Sequence, residues 1–200
     1  MSTEAILAID PGPEHSAYCE WDSGIRATGW IPNEDMADLF IPGRTYVLES
    51  PQAQDRPFGK LFRDTVIWAG RYIEAITSRG LSLVEVDERD ARTWIVGART
   101  STNAALKQCL KNHFGDTIQA ACACGTGQIP GKRPGTLKAC AACKGTRLRT
   151  IPGPLARLNE HELSAVAVAL YYEQKFLNPH EGHGCLTPLR APTQGATASP

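Results

Sequence analysis

The sequence predicts an α/β protein: a mixed sheet of five strands with flanking helices, interrupted late in the chain by a small cysteine-bearing insert. Three observations predict this. Short, densely apolar runs and one hairpin pattern fill the first fifty residues. Apolar residues then recur at three- and four-residue intervals over 60 to 78, and helical character returns over 160 to 176. Between these, residues 119 to 150 are rich in Cys, Gly, Ala and basic groups and poor in large apolar side chains.

Taken in order, residues 5 to 10 are apolar without alternation, as expected of a strand buried on both faces. Residues 16 to 21 and 25 to 31 read as a hairpin turning at Asp22-Ser23-Gly24. Residues 45 to 49 (TYVLE) give a fourth strand. Over 60 to 78, Leu61, Val66, Ile67, Tyr72, Ile73 and Ile76 keep helical spacing, and Gly80 stops the helix where glycine is favoured. Residues 81 to 86 give the fifth strand, followed by short helices over 89 to 96 and 102 to 114, the second capped by Ser101 or Thr102. The final helix carries a small-residue packing face in LSAVAVALYY. Past Asn178, four prolines, three glycines and no apolar period predict a loose tail over 179 to 200. The expected domains are therefore 1–118 with 151–178, and the insert 119–150.

Composition narrows the class. Of 200 residues, 42% are hydrophobic and 21% charged, which fits one soluble globular domain with a small addition. No apolar run approaches the roughly 20 residues that span a bilayer. Met1-Ser2-Thr3-Glu4 lacks the basic start of a signal peptide, so a cytoplasmic location and no membrane partner are expected. Seven cysteines is an odd number, and four form two tight pairs, a pattern that in a reducing compartment favours metal over disulfides. The net charge is zero but unevenly spread. Residues 117 to 159 hold no Asp or Glu, but carry Lys132, Arg133, Lys138, Lys144, Arg147, Arg149 and Arg157. A basic segment on an acidic body points to a localised polyanion contact.

Asp10 and Glu49 each end an apolar strand. Asp before Pro11-Gly12 is ordinary turn chemistry, and Glu49 before Pro51 is an ordinary strand end. If the two strands are neighbours, however, both carboxylates reach one sheet edge and make an oxygen-rich site suited to Mg2+ or Mn2+. A divalent cation there places a water for in-line attack on a phosphodiester and neutralises the leaving oxygen.

The stretches ILAIDPG, VLESP, DARTWIVGARTSTNAALKQCL and NEHELSAVAVAL, in that order, resemble RuvC-type Holliday junction resolvases of the RNase H-like superfamily. The resemblance runs through 5 to 114 and again 158 to 176. It implies an RNase H-like fold and an endodeoxyribonuclease that cuts four-way or other branched DNA by two-metal hydrolysis, leaving a 5′-phosphate and a 3′-hydroxyl. Asp10 matches the family's first-strand Asp and would bridge two metals about 4 Å apart. Glu49 matches the fourth-strand Glu and would hold one of them. His161 matches the first of two ligands placed three residues apart on one face of the last helix, and would ligate the other metal or activate the water. The second falls on Ser164, a poor metal ligand where the family has Asp. Glu160, one turn earlier, and Glu162, beside His161, are the substitute ligands at hand. Arg99, Lys107 and Lys111 flank GARTSTNAALKQCLK, which in the family approaches the junction; a solvated helix face accounts for Lys107 and Lys111 as well. Symmetric resolution needs two active sites, so a homodimer is expected.

In the insert, Cys122-Ala-Cys124 and Cys140-Ala-Ala-Cys143 suit a tetrahedral structural Zn2+ with no open position for catalysis. So few apolar residues cannot bury enough surface to fold alone, and the metal would supply the folding energy. The segments CGTG and CKGT are similar to the cysteine-rich zinc modules of DnaJ-type chaperones, which implies only a zinc ribbon. With its positive charge the ribbon reads as a DNA-gripping finger, contacting phosphates through Lys132, Arg133, Lys138, Lys144, Arg147 and Arg149. Such an insert is absent from the standard bacterial resolvase pattern and suggests an elaborated branch acting in a bacterial or phage-infected cell. Cys19 and Cys109 read as core thiols, and His180, His183 and Cys185 as tail residues. Actin–hexokinase ATPases share the opening motif but need two lobes and a second phosphate loop, so no nucleotide cofactor is expected. The alternative that stays open is a catalytically weak or inactive zinc-ribbon protein that binds branched DNA: Ser164 favours it, and Asp10, Glu49 and His161 oppose it.

Overall fold

The strand β1 (Ile6–Asp10) lies at the centre of a five-stranded sheet of order β3-β2-β1-β4-β5. β2 (His15–Trp21) is antiparallel to β1, and β3 (Ile25–Pro32) antiparallel to β2, while β4 (Thr45–Ser50) and β5 (Ser82–Asp87) continue the sheet in parallel. This computed structural model describes residues 4–51, 59–98, 102–130 and 136–179. Every residue of β1 is buried, because helices cover both faces of the strand. On one face Leu7, Ile9, Tyr46 and Leu48 pack with Ala69, Tyr72 and Ile76 of α1 (Lys60–Ser78). On the other lies α4 (Glu160–Tyr172), whose residues from Leu163 to Tyr172 are all buried. The small side chains of its SAVAVA run permit a close approach to the sheet.

The mixed sheet and its helices agree with the fold expected from sequence. α2 (Glu88–Val96) and α3 (Asn103–Phe114) occupy the two short helical stretches, with Thr102 Oγ1 accepting from the Ala105 amide at the start of α3. Two elements differ. A 3-10 helix, Asn33–Leu39, was not legible because it buries only Asn33 and Met36. The sequence predicts helix over 160 to 176, whereas after Tyr172 the chain widens into a π-helical turn, Glu173–Leu177. The wider turn lets Phe176 fall back on Tyr172, with ring centroids 5.3 Å apart, while the Lys175 ammonium sits 4.8 Å over Tyr171.

The described chain divides into two compact units. One holds the five-stranded sheet, α1, α2 and α4. The other, Lys111–Arg157, is built of two small antiparallel pairs, β6 (Thr117–Ala121) with β9 (Leu148–Pro152) and β7 (Gln128–Pro130) with β8 (Leu137–Ala139). Among the described residues no helix is long and apolar enough to cross a membrane.

Candidate functional site

The turn after β1 fixes where Asp10 points. A Cβ on Gly12 would stand 2.2 Å from the carbonyl oxygen of His15, so only glycine lets the chain fold back this tightly. A buried polar knot holds the turn: Ser16 Oγ accepts from the Gly12 amide, Asn33 Nδ2 donates to the Gly12 carbonyl, and Ser16 Oγ donates to Asn33 Oδ1 at 2.6 Å. The Tyr72 hydroxyl of α1 lies 3.0 Å from Ser16 Oγ and completes the knot.

The parallel register of β1 and β4 pairs Ala8 with Val47 and Ile9 with Leu48, so Asp10 and Glu49 take the next position on neighbouring strands. Both lie on the face covered by α4, and both are nearly out of solvent, at 8% and 6% exposure. The first turns of α4 deliver the partners. His161 Nδ1 is 3.0 Å from Asp10 Oδ2, and Ser164 Oγ donates to Glu49 Oε2 at 2.9 Å. The three-residue step from His161 to Ser164 therefore meets one carboxylate with each residue.

The electrostatics follow from crowding. Burial pushes Asp10 above the usual carboxylate value, opposed by the hydrogen bond from His161. Glu49 is pushed well up, first by burial and then by the charge of Asp10, with the Ser164 hydroxyl pulling the other way. His161 is raised, chiefly by its hydrogen bond to Asp10. Two desolvated acids side by side are a costly arrangement that a bound cation relieves.

The two expected substitute ligands are engaged elsewhere. Glu162 completes a capping box with Asn159 at the start of α4 and accepts from Thr28 Oγ1. Glu160 accepts from Asn103 Nδ2 at 2.6 Å. Sequence reasoning missed Glu88, Arg92 and Asn103. Glu88 opens α2 just past β5, and its charge raises Asp10, Glu49 and His161 alike. Arg92 Nε lies 2.7 Å from Glu88 Oε1, and its Nη1 donates to Asn103 Oδ1. The available signal was a third acidic strand end, Asp87-Glu88, following the same pattern as Asp10 and Glu49.

In the second unit, Cys122, Cys124, Cys140 and Cys143 bring their four sulfurs within 4.8 Å of one another, the one such cluster of potential metal ligands among the described residues. Cys122 and Cys140 sulfurs are 3.8 Å apart, and those of Cys124 and Cys143 3.5 Å. A tetrahedral Zn2+ with Zn–S bonds of about 2.3 Å sets sulfur spacings near 3.8 Å, so the donors fit that ion. The backbone amides of Cys143 and Ala142 lower Cys140 to about 7, favouring its thiolate. The two cysteine turns echo each other. Thr126 Oγ1 donates to the Cys124 carbonyl and Thr146 Oγ1 to the Cys143 carbonyl, each two or three residues past the sulfur. Gly127 sits where a Cβ would stand 2.5 Å from the Gly145 carbonyl oxygen, so the turns are in close contact.

Of the expected DNA contacts, Lys138, Lys144, Arg147 and Arg149 are exposed. Lys107 is half-buried, and Lys111 is tied to Asp116 at 2.7 Å, which leaves it less free for a phosphate. Arg99, Lys132 and Arg133 lie outside the described residues, as do His180, His183, Cys185 and nearly all of the tail. Cys19 is fully buried and its thiol is raised by burial, whereas Cys109 is only half-buried.

No family model and no curated protein sequence matches this chain. Among solved structures it is similar to Thermus thermophilus RuvC in complex with a Holliday junction substrate, at 12% identity and a TM-score of 0.49, over 84% of this chain and 92% of that one. It is likewise similar to a second Thermus thermophilus RuvC structure, at 11% identity and a TM-score of 0.48, over 86% and 96% of the two chains. At such identities the likeness says nothing of what this chain acts on.

Proposed function

We propose that the protein is a metal-dependent endonuclease for four-way or other branched DNA. The observation that carries this reading is the pair of buried carboxylates, Asp10 and Glu49, on adjacent parallel strand ends, each met by a polar side chain of α4. Asp10 and Glu49 would hold Mg2+ or Mn2+, and two acids that burial pushes upward side by side support a site suited to positive charge. A divalent ion bound there supplies an activated water and neutralises charge on the phosphate. The chain's own groups do the rest. His161 is held through Nδ1 by Asp10, leaving its other ring nitrogen to ligate or to take a proton from the attacking water. Ser164 fixes Glu49 through Oε2, leaving Oε1 for a ligand. Ser164 thus orients an acid instead of adding one, which predicts weaker metal binding than a third carboxylate would give.

The four cysteines would hold a structural Zn2+, and the exposed cations of the second unit would contact phosphates. Junction resolution further calls for a homodimer. Domain limits of 1–118 with 151–178 and of 119–150 belong to the same proposal. The experiment is cleavage of four-way, flap and linear duplex DNA with Mg2+ or Mn2+, comparing wild type with Asp10→Asn. The reading expects branched DNA to be cut by wild type alone. Binding of branched DNA with no cleavage by either would instead establish the non-catalytic alternative that Ser164 favours.

A further inference from the structure

The face of the sheet that carries Asp10 does not end at the helix that covers it. Cross-strand register places Ala17 opposite Asp10 and Trp30 opposite Ala17, so the three form one row across β1, β2 and β3. At about 4.8 Å per strand, Trp30 stands roughly 10 Å from Asp10 on the same face. Ala17 between them is fully buried, because α4 packs onto β2 over this face. α4 begins over this row, with His161 bonded to Asp10 and Glu162 to Thr28, and then runs toward the opposite end of the strands. Trp30, two residues beyond Thr28, is therefore left 51% exposed.

Its ring is not loose. Trp30 stacks on His15, with centroids 4.4 Å apart and planes 25° from parallel, across the β2–β3 pair. The one Lys or Arg on these two strands is Arg26, at the far end and bound to Asp22. A flat, rigid aromatic pair without cations takes the face of a base, not a phosphate.

We propose that the Trp30–His15 pair is a stacking platform for an unpaired nucleobase of the DNA strand whose phosphate is held at Asp10. This rests on the reading of the sheet edge as a DNA site, though not on its cutting DNA. It gives a branch preference a place: continuous duplex keeps its bases paired and stacked, whereas a branch point interrupts stacking and makes a base there cheaper to free for the platform.

The test is binding of a four-way junction by the full, zinc-loaded chain without divalent metal, so that cleavage plays no part. Trp30→Leu is expected to weaken binding about 5- to 150-fold, the usual worth of one base–aromatic stack, while Trp30→Phe retains most of the affinity. An abasic site scanned around the branch should weaken wild type at one nucleotide and cost Trp30→Leu nothing further there. Should Trp30→Leu lower the melting temperature, the abasic scan with Trp30→Phe decides in its place. Undiminished binding by Trp30→Leu, abasic penalties that persist in the variant, or a change confined to the oligomeric state would each overturn the proposal. Failure of wild type to cleave with Mg2+, alongside a Trp30-dependent loss of binding, would remove the nuclease reading and leave the platform standing.

Discussion

The sheet edge and the cysteine unit place their reactive groups by opposite means. Asp10 and Glu49 ride on strands whose positions are set by Leu7, Ile9, Tyr46 and Leu48 packing against α1, so the carboxylates are carried to the site by a core that needs nothing from them. In the second unit the buried cluster around the sulfurs is three of the cysteines themselves, with Cys124 and Ile129 packed against them among the described residues. There the ligands themselves form the buried cluster. The difference teaches that removing metal from the first site should change chemistry and leave the fold, whereas removing it from the second should take the fold with it.

The largest effect expected from this contrast is at the cysteines. Cys140→Ser, or chelation of zinc, is expected to unfold residues 117 to 152, since structural Zn2+ sites contribute on the order of 10–16 kcal/mol. Metal analysis and amide hydrogen exchange would show it as lost zinc and lost protection in β6 to β9, with β1 to β5 unchanged. Simultaneous loss of protection in the sheet would break the contrast.

Next comes Glu49→Gln, which removes a buried acid that burial and Asp10 both disfavour. The variant is expected to be more stable by about 1–3 kcal/mol in the absence of Mg2+ or Mn2+ and to cleave nothing. The pH dependence has a definite sign. Because the folded pKa of Glu49 lies above its unfolded value, the folded state binds the extra proton, so stability is lost as pH rises from the ordinary carboxylate value through the folded one. Denaturant melts across that range should slope downward for wild type and less steeply for Glu49→Gln.

How much of this was legible in the sequence depends on the distance over which each signal acts. The strand-end acids were visible because a carboxylate breaks an apolar run within one element, and the CxC and CxxC pairs because ligand spacing is local. His161 was visible only through resemblance, since nothing in its own helix marks it. That Ser164 bonds Glu49, 115 residues away, and that Glu88, Arg92 and Asn103 gather near the site, follow from the packing of α2 on β5 and α4, with Asn103 at the start of α3 bonding Arg92 and Glu160. No local pattern encodes that. The three-residue strands β7 and β8 and the π-helical turn were too short to leave a period.

A smaller effect sharpens the geometry of the first site. Gly12→Ala forces the Pro11–Pro13 turn open against the His15 carbonyl and is expected to cost about 1–3 kcal/mol, measurable by thermal melting, while displacing Asp10 and depressing cleavage. The smallest is on the surface of the second unit. Arg149→Gln should lower the salt slope of DNA binding by about 1, whereas Lys111→Gln, whose ammonium is already spent on Asp116, should change it little. Equal slopes for the two variants would erase the distinction between free and paired cations.

The most direct test of the sheet-edge site is titration of the zinc-loaded protein with Mn2+, followed by the paramagnetic signal of the bound ion. Wild type is expected to bind Mn2+ and both Asp10→Asn and Glu49→Gln to lose that binding while keeping their fold. Undiminished Mn2+ binding by the two variants would contradict the account.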